Sequence, residues 1–137
     1  MTVEFEINDG QLQSLIRKEQ TRLVIKAQRA TLNAAKVGSP VDTGFMRNSH
    51  AAGPITVSGD TVRADITVTA KYAMAVHEGS KPHVIRPRRA KALAWKGGGG
   101  TIFARSVNHP GAKKRPWLLN ALRDSAATLG FEVSAER

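Results

Sequence analysis

The chain has 137 residues, a formal net charge of +10 and no cysteine. That length predicts a single domain spanning residues 1–137, and 41% hydrophobic with 23% charged residues is a globular composition, which excludes wholesale disorder and fibrous repeats. Absent cysteine excludes disulfides and thiolate metal sites and fits a cytosolic folding compartment; no run of about 18 apolar residues predicts a membrane span, and the first residues lack a secretory pattern.

Val3, Phe5 and Ile7 alternate with Glu4 and Glu6, the period of a half-buried strand, and Asn8-Asp9-Gly10 reads as the turn that ends it. From Gln11 the period changes. Leu12, Leu15, Ile16, Leu23, Ala27, Ala30 and Ala34 mark one face of a helix of about 25 residues, with Asp9 as its expected N-cap and Gly38 and Pro40 as its stop. Residues 39–49 are rich in turn formers. Pro40, Asp42, Thr43 and Gly44 predict a structured loop leading into one helical turn. Ile55 to Val57 and then Val62, Ala64, Ile66 and Val68, separated by Ser58-Gly59-Asp60, predict a β-hairpin.

Tyr72 to Glu78 reads as a short helix closed by Gly79, whose missing Cβ suits a left-handed position. His83 to Arg86 is extended, and Pro87 ends it. Leu93-Ala94-Trp95 and Ile102-Phe103-Ala104 flank Gly97 to Gly100, predicting a hairpin with a mobile glycine tip. Asn108-His109-Pro110-Gly111 reads as a turn and Lys113-Lys114-Arg115 as a basic loop. Pro116 is expected at the first position of a helix whose apolar stripe is Trp117, Leu118, Ala121, Leu122, Ala126 and Leu129, with Phe131 and Val133 as a further short strand. Strands that come in hairpins without crossover helices predict an α+β fold, a small antiparallel sheet packed against the long N-terminal and the C-terminal helix, with extended basic and glycine-rich loops.

The positive charge is local. Residues 1–80 hold nine Lys or Arg against eight Asp or Glu, and residues 118–137 hold two against three, so these parts cancel. The excess lies in residues 81–117, which contain Lys81, Arg86, Arg88, Arg89, Lys91, Lys96, Arg105, Lys113, Lys114 and Arg115 and no Asp or Glu. Such a segment suits either a solvated loop that meets an acidic neighbour or direct contact with nucleic acid.

Four histidines, His50, His77, His83 and His109, raise the question of chemistry. His77-Glu78 resembles half of a zinc-hydrolase motif, but Lys81 stands where the second histidine is needed, so the metal reading fails. A ribonuclease-like acid–base pair drawn from His77, Glu78, Lys81, His83 and His109 stands as a minor alternative to histidines that bond turns. Gly97 to Gly100 lacks the following helix and the Lys-Ser/Thr pair of a phosphate loop. Trp95 and Trp117 sit on apolar stripes, which favours core anchoring over base stacking.

Taken in order, Pro40-Val41-Asp42-Thr43-Gly44 before Met46-Arg47-Asn48-Ser49, Tyr72-Ala73 with Val76-His77-Glu78-Gly79-Ser80, Lys81-Pro82-His83-Val84-Ile85-Arg86-Pro87, Lys91-Ala92-Leu93, and Val107-Asn108-His109-Pro110-Gly111 before Arg115-Pro116-Trp117-Leu118 form a series. That series resembles the tail-completion, or neck, proteins of long-tailed bacteriophages, of the minor tail protein Z type, over Ser39 to about Leu122. Two departures are His77, where the pattern has a valine-like residue, and the expanded stretch from Arg86 to Gly100. The resemblance implies a structural virion protein without catalysis or cofactor, assembled in the host cytoplasm into a homo-oligomeric ring at the head–tail interface, sixfold by expectation with twelvefold as the alternative. It implies adjacent neck, tail terminator or head-closure proteins as partners, with packaged double-stranded DNA within reach and no membrane. Interface and loop residues carried over are Pro40, Asp42, Thr43, Gly44, Arg47, Tyr72, Glu78, Gly79, Pro82, His83, His109, Pro110, Gly111, Pro116 and Trp117; Asp42, Gly44 and Gly79 are expected to hold loop geometry and Glu78 to pair with a base. Lys81, Arg86, Arg88, Arg89, Lys91, Lys96, Lys113, Lys114 and Arg115 are expected to touch a partner or DNA. The competing reading is a basic nucleic-acid-binding module.

Overall fold

The computed structural model describes residues 8–132. The expected strand at Val3, Phe5 and Ile7 lies outside them, as does Val133; Phe131 is described and is not in a strand. The chain divides into two compact units: Met1–Lys71 with Trp117–Arg137, and Tyr72–Pro116. The architecture is α+β, a long N-terminal helix, small antiparallel sheets and a C-terminal helix. No helix among the described residues is long and apolar enough to cross a membrane.

In the first unit, α1 runs Asp9–Gly38. It begins two residues earlier than the periodicity predicts, because Asn8, not Asp9, is the cap. The Asn8 side chain accepts from the Gly10 N–H at 2.7 Å, and Asp9 places its charge in the first turn. Asn8-Asp9-Gly10 is therefore a helix start and not a turn. The buried stripe is also rotated from the expected one. It consists of Gln28, Thr31 and Ala35, while Leu15 is 60% and Ile16 49% exposed.

The hairpin explains the rotation. β1 (His50–Ser58) pairs antiparallel with β2 (Thr61–Val68), and the register shifts between Ala52 and Ile55, where Gly53 and Pro54 form an irregularity. Pro54 has no N–H to give to a ladder. Gln28 Nε2 reaches from α1 and donates to the carbonyls of Gly53 (3.0 Å) and Asp65 (2.7 Å), one on each strand. Carbonyls partly shielded from water need such partners, so a polar residue occupies the middle of the helix's inner face. Val62, Ala64, Ile66 and Val68 alternate half-buried with exposed neighbours as predicted.

α4 (Trp117–Leu129) packs along α1 through small residues, with Ala121, Ser125 and Ala126 buried against the helix that carries Thr31 and Ala35. Gly38 lies 4.0 Å from the Trp117 Cβ, were it to carry a Cβ of its own. Small side chains allow this close helix approach. Leu122 of the predicted stripe is 41% exposed.

The second unit contains α3 (Ala73–Glu78), β3 (His83–Ile85), β4 (Leu93–Gly97), β5 (Gly100–Ala104) and β6 (Val107–His109). β4 and β5 form the expected glycine-tipped hairpin. Asn108 and His109, read from the sequence as part of a turn, instead belong to β6 and pair with β3. The competing signal was Pro110-Gly111, whose turn chemistry hides the strand that runs into it.

Candidate functional site: a paired ribbon and a histidine–tryptophan clamp

The motif residues fall into two clusters, one in each unit. In the first unit the loop after α1 passes Asp42 and Thr43, whose Oγ1 accepts the Phe45 N–H at 3.4 Å, and Gly44 adopts φ +81° to start α2 (Phe45–Asn48). That left-handed value favours glycine. Arg47 contributes its carbonyl, with that of Met46, to His50: Nδ1–H donates to them at 3.1 and 2.8 Å. His50 Nε2 in turn accepts the Trp117 indole N–H at 3.0 Å, and the two rings meet edge-on, 6.2 Å apart. Both side chains are buried. These bonds assign a neutral His50 carrying its proton on Nδ1, which closes the end of α2 and ties it to the start of α4. The structure makes Trp117 the core anchor expected of it. His50 is the residue the motif series missed.

In the second unit, two motifs distant in sequence lie opposite each other. β3 pairs with β6 as His83↔His109, Val84↔Asn108 and Ile85↔Val107, and Ser80↔Ala112 continues in the same register. Pro82 and Pro110 therefore face each other in the gap, and neither has an N–H to donate. Ser80 and Ala112 exchange both backbone bonds at 3.0 Å, and the Ser80 hydroxyl also lies 3.0 Å from the Ala112 N–H. Just before the bridge, at the end of α3, Glu78 meets Lys114. They form an ion pair at 2.9 Å, and the other carboxylate oxygen accepts from His77 Nδ1 at 2.6 Å. The Lys114 hydrogen bond first, and that from His77 second, hold the Glu78 carboxyl below its ordinary value. The Arg115 N–H closes the ribbon on the Val76 carbonyl at 3.1 Å.

Two glycines permit this approach. Gly79 (φ +78°) closes α3, and a Cβ there would stand 2.7 Å from the Ala112 carbonyl oxygen and 2.9 Å from the Lys114 nitrogen. At Gly111 (φ +88°) a Cβ would run into the Ser80 carbonyl and stand 2.9 Å from the Lys81 carbonyl carbon. The histidines are held by local backbone. His83 Nδ1–H donates to the Lys81 carbonyl (2.8 Å), His109 Nδ1 accepts the Gly111 N–H (3.1 Å), and the two rings stack, tilted, 5.0 Å apart. Tyr72 caps α3, its carbonyl accepting the Val76 N–H at 3.1 Å.

His77, Glu78, Lys81, His83 and His109 thus share one ribbon, and the expected partner for Glu78 is Lys114. Glu78 is engaged by two cationic or donor groups, and His83 and His109 use Nδ1 to fix the backbone. No group of three or more His, Asp or Glu among the described residues could hold a metal ion. The cations Lys81, Arg86, Arg88, Arg89, Lys91, Lys96, Arg105, Lys113, Lys114 and Arg115 are all exposed. Trp95, expected in the core, is 41% exposed opposite Ile102, on a sheet that has only the strands β4 and β5 among the described residues. An apolar groove of about 430 Å³ between Val24, Ile66, Leu122 and Phe131 in the first unit involves none of the motif residues. Comparison with known proteins finds no matching family model, no similar curated protein and no similar solved structure.

Proposed function

We propose that this chain is a structural component of a virion, a bacteriophage neck or tail-completion protein that assembles as a ring between head and tail. The observation that carries the reading is the pairing of the motifs that suggested it. The end of α3 with Ser80 lies against residues 111–115, joined by the Ser80–Ala112 bridge, and the distinctive residues are occupied with that contact: Gly79 and Gly111 by close approach, Glu78 by its bond to Lys114. Residues spent on backbone geometry belong to a shaped interaction element more than to a reaction centre.

A second feature agrees. Phe103 is 70% exposed and Ile102 46%, on a two-stranded hairpin of a kind that is marginal in isolation and gains stability from a neighbour. A ring of copies, sixfold by preference, supplies such neighbours, as do adjacent neck or tail-end proteins. The site of action under this reading is the virion.

The test is complementation. Particles made without this chain should accumulate as filled heads and separate tails, and adding the purified protein should join them into infectious particles. Heads and tails that join equally well without it would overturn the proposal.

A further inference from the structure

The second unit is a single hairpin arm with an asymmetric waist. On the way out, seven residues, 86–92, separate β3 from β4; on the way back, two residues, 105–106, separate β5 from β6. Five extra residues are thus looped out on one side, and this stretch carries Arg86, Arg88, Arg89 and Lys91, with Arg105 on the short side. All five are exposed, and none makes an ion pair with another described residue. Across Tyr72–Pro116 there are ten Lys or Arg and one acid, Glu78, whose carboxylate is engaged by Lys114 and His77.

We propose that this waist binds the phosphate backbone of double-helical DNA without regard to base sequence. Five unpaired cations set among a few residues repel one another, and a dense line of anions relieves that repulsion. Duplex DNA presents about one negative charge per 1.7 Å of its axis. A protein partner would call for an apolar centre inside a polar rim, whereas only Pro87, Ala90, Ala92 and Ser106 lie among these cations. A single-stranded partner would call for aromatic rings interleaved with the charges, and the waist holds none. The unit's aromatic residues lie outside it, Tyr72 at the start of α3, Trp95 on β4 and Phe103 on β5. The inference goes beyond the ring and stands on the waist alone.

The experiment is fluorescence anisotropy of the full chain with two labelled duplexes of about 30 bp and unrelated sequence, across about 50 to 200 mM salt. Five phosphate contacts give a log–log salt slope of about −4.5, the same for both duplexes. Replacing Arg88→Ala, Arg89→Ala and Lys91→Ala together should make that slope shallower by about 2.7. Removing equal charge from α1 by Arg17→Ala, Lys18→Ala and Arg22→Ala should leave it unchanged, and the Arg88→Lys, Arg89→Lys variant should keep it. Hydrogen exchange at Ser80 and Ala112 verifies that the arm is intact in each variant. Absence of binding at the lowest salt, equal losses from the waist and α1 variants, or displacement of DNA by polyglutamate at matched charge would overturn the proposal, the last in favour of an acidic protein.

Discussion

Replacing Gly111 by alanine puts the ribbon to its sharpest test. The new methyl would enter backbone, meeting the Ser80 carbonyl and lying 2.9 Å from the Lys81 carbonyl carbon and 3.0 Å from the Pro82 nitrogen. Backbone cannot swing aside as a flexible side-chain end can. Holding an L-residue at φ +88° costs about 1–2 kcal/mol by itself. Moving the opposing strand away also loosens the Ser80–Ala112 bonds, each worth about 1 kcal/mol net. Together these weaken the bridge by about 3 kcal/mol, which corresponds to roughly 100-fold faster amide exchange, or exchange at the unprotected limit where the arm holds less than that. The assay is hydrogen exchange at the amides of Ser80, Ala112 and Arg115, the three donors of the bridge and the closing bond. Gly98→Ala is the matched control, since a Cβ there has nothing within 4 Å. Unchanged protection in Gly111→Ala, or equal loss in the control, would refute the pairing of the two motifs.

Three other outcomes follow from single residues. Gln28→Leu removes the amide that serves both Gly53 and Asp65 and should destabilise the first unit by about 1–3 kcal/mol in urea unfolding, since two part-buried carbonyls lose their donor. His50→Phe keeps a ring but takes away both the Nδ1–H donor and the acceptor for Trp117, a loss of about 2–3 kcal/mol read from tryptophan emission during unfolding. Because the folded Glu78 carboxyl is held below its ordinary value of 4.5, its contribution to arm protection is complete above that pH and is lost as pH falls through the lowered folded value. Glu78→Gln should therefore show reduced protection at neutral pH and no further acid-dependent loss. The effect is modest, because both partners are about half exposed.

Local rules read much of the fold from the sequence, and their failures are informative. Helix α1 was legible from its spacing, but its inner face was not. The periodicity singles out Leu12, Leu15 and Ile16, whereas the packed stripe is centred on Gln28, Thr31 and Ala35. Hydropathy cannot show that a glutamine feeds two strand carbonyls 25 and 37 residues away. The hairpins and α3 were legible because Gly59, Gly79 and Gly100 all occupy positive φ, where turn chemistry speaks directly. β6 was not, because a three-residue strand running into Pro110-Gly111 carries no period of its own and exists only through β3. Of the site, the residue types were legible and their partners were not, apart from a base for Glu78. That Pro82 meets Pro110 is a property of register, which no local spacing encodes. Trp95 misled for a related reason: it lies on an apolar strand, but the strand belongs to a sheet of two strands and leaves the ring 41% exposed.

The most direct measurement is averaged electron cryomicroscopy of the head–tail junction of particles that contain this chain. A ring is expected at that junction, each subunit accommodating the α1–hairpin–α4 unit and the paired arm, with the Arg86–Lys91 stretch traceable to DNA. A junction fully explained by other chains, with this one elsewhere in the particle or missing from it, would contradict the account.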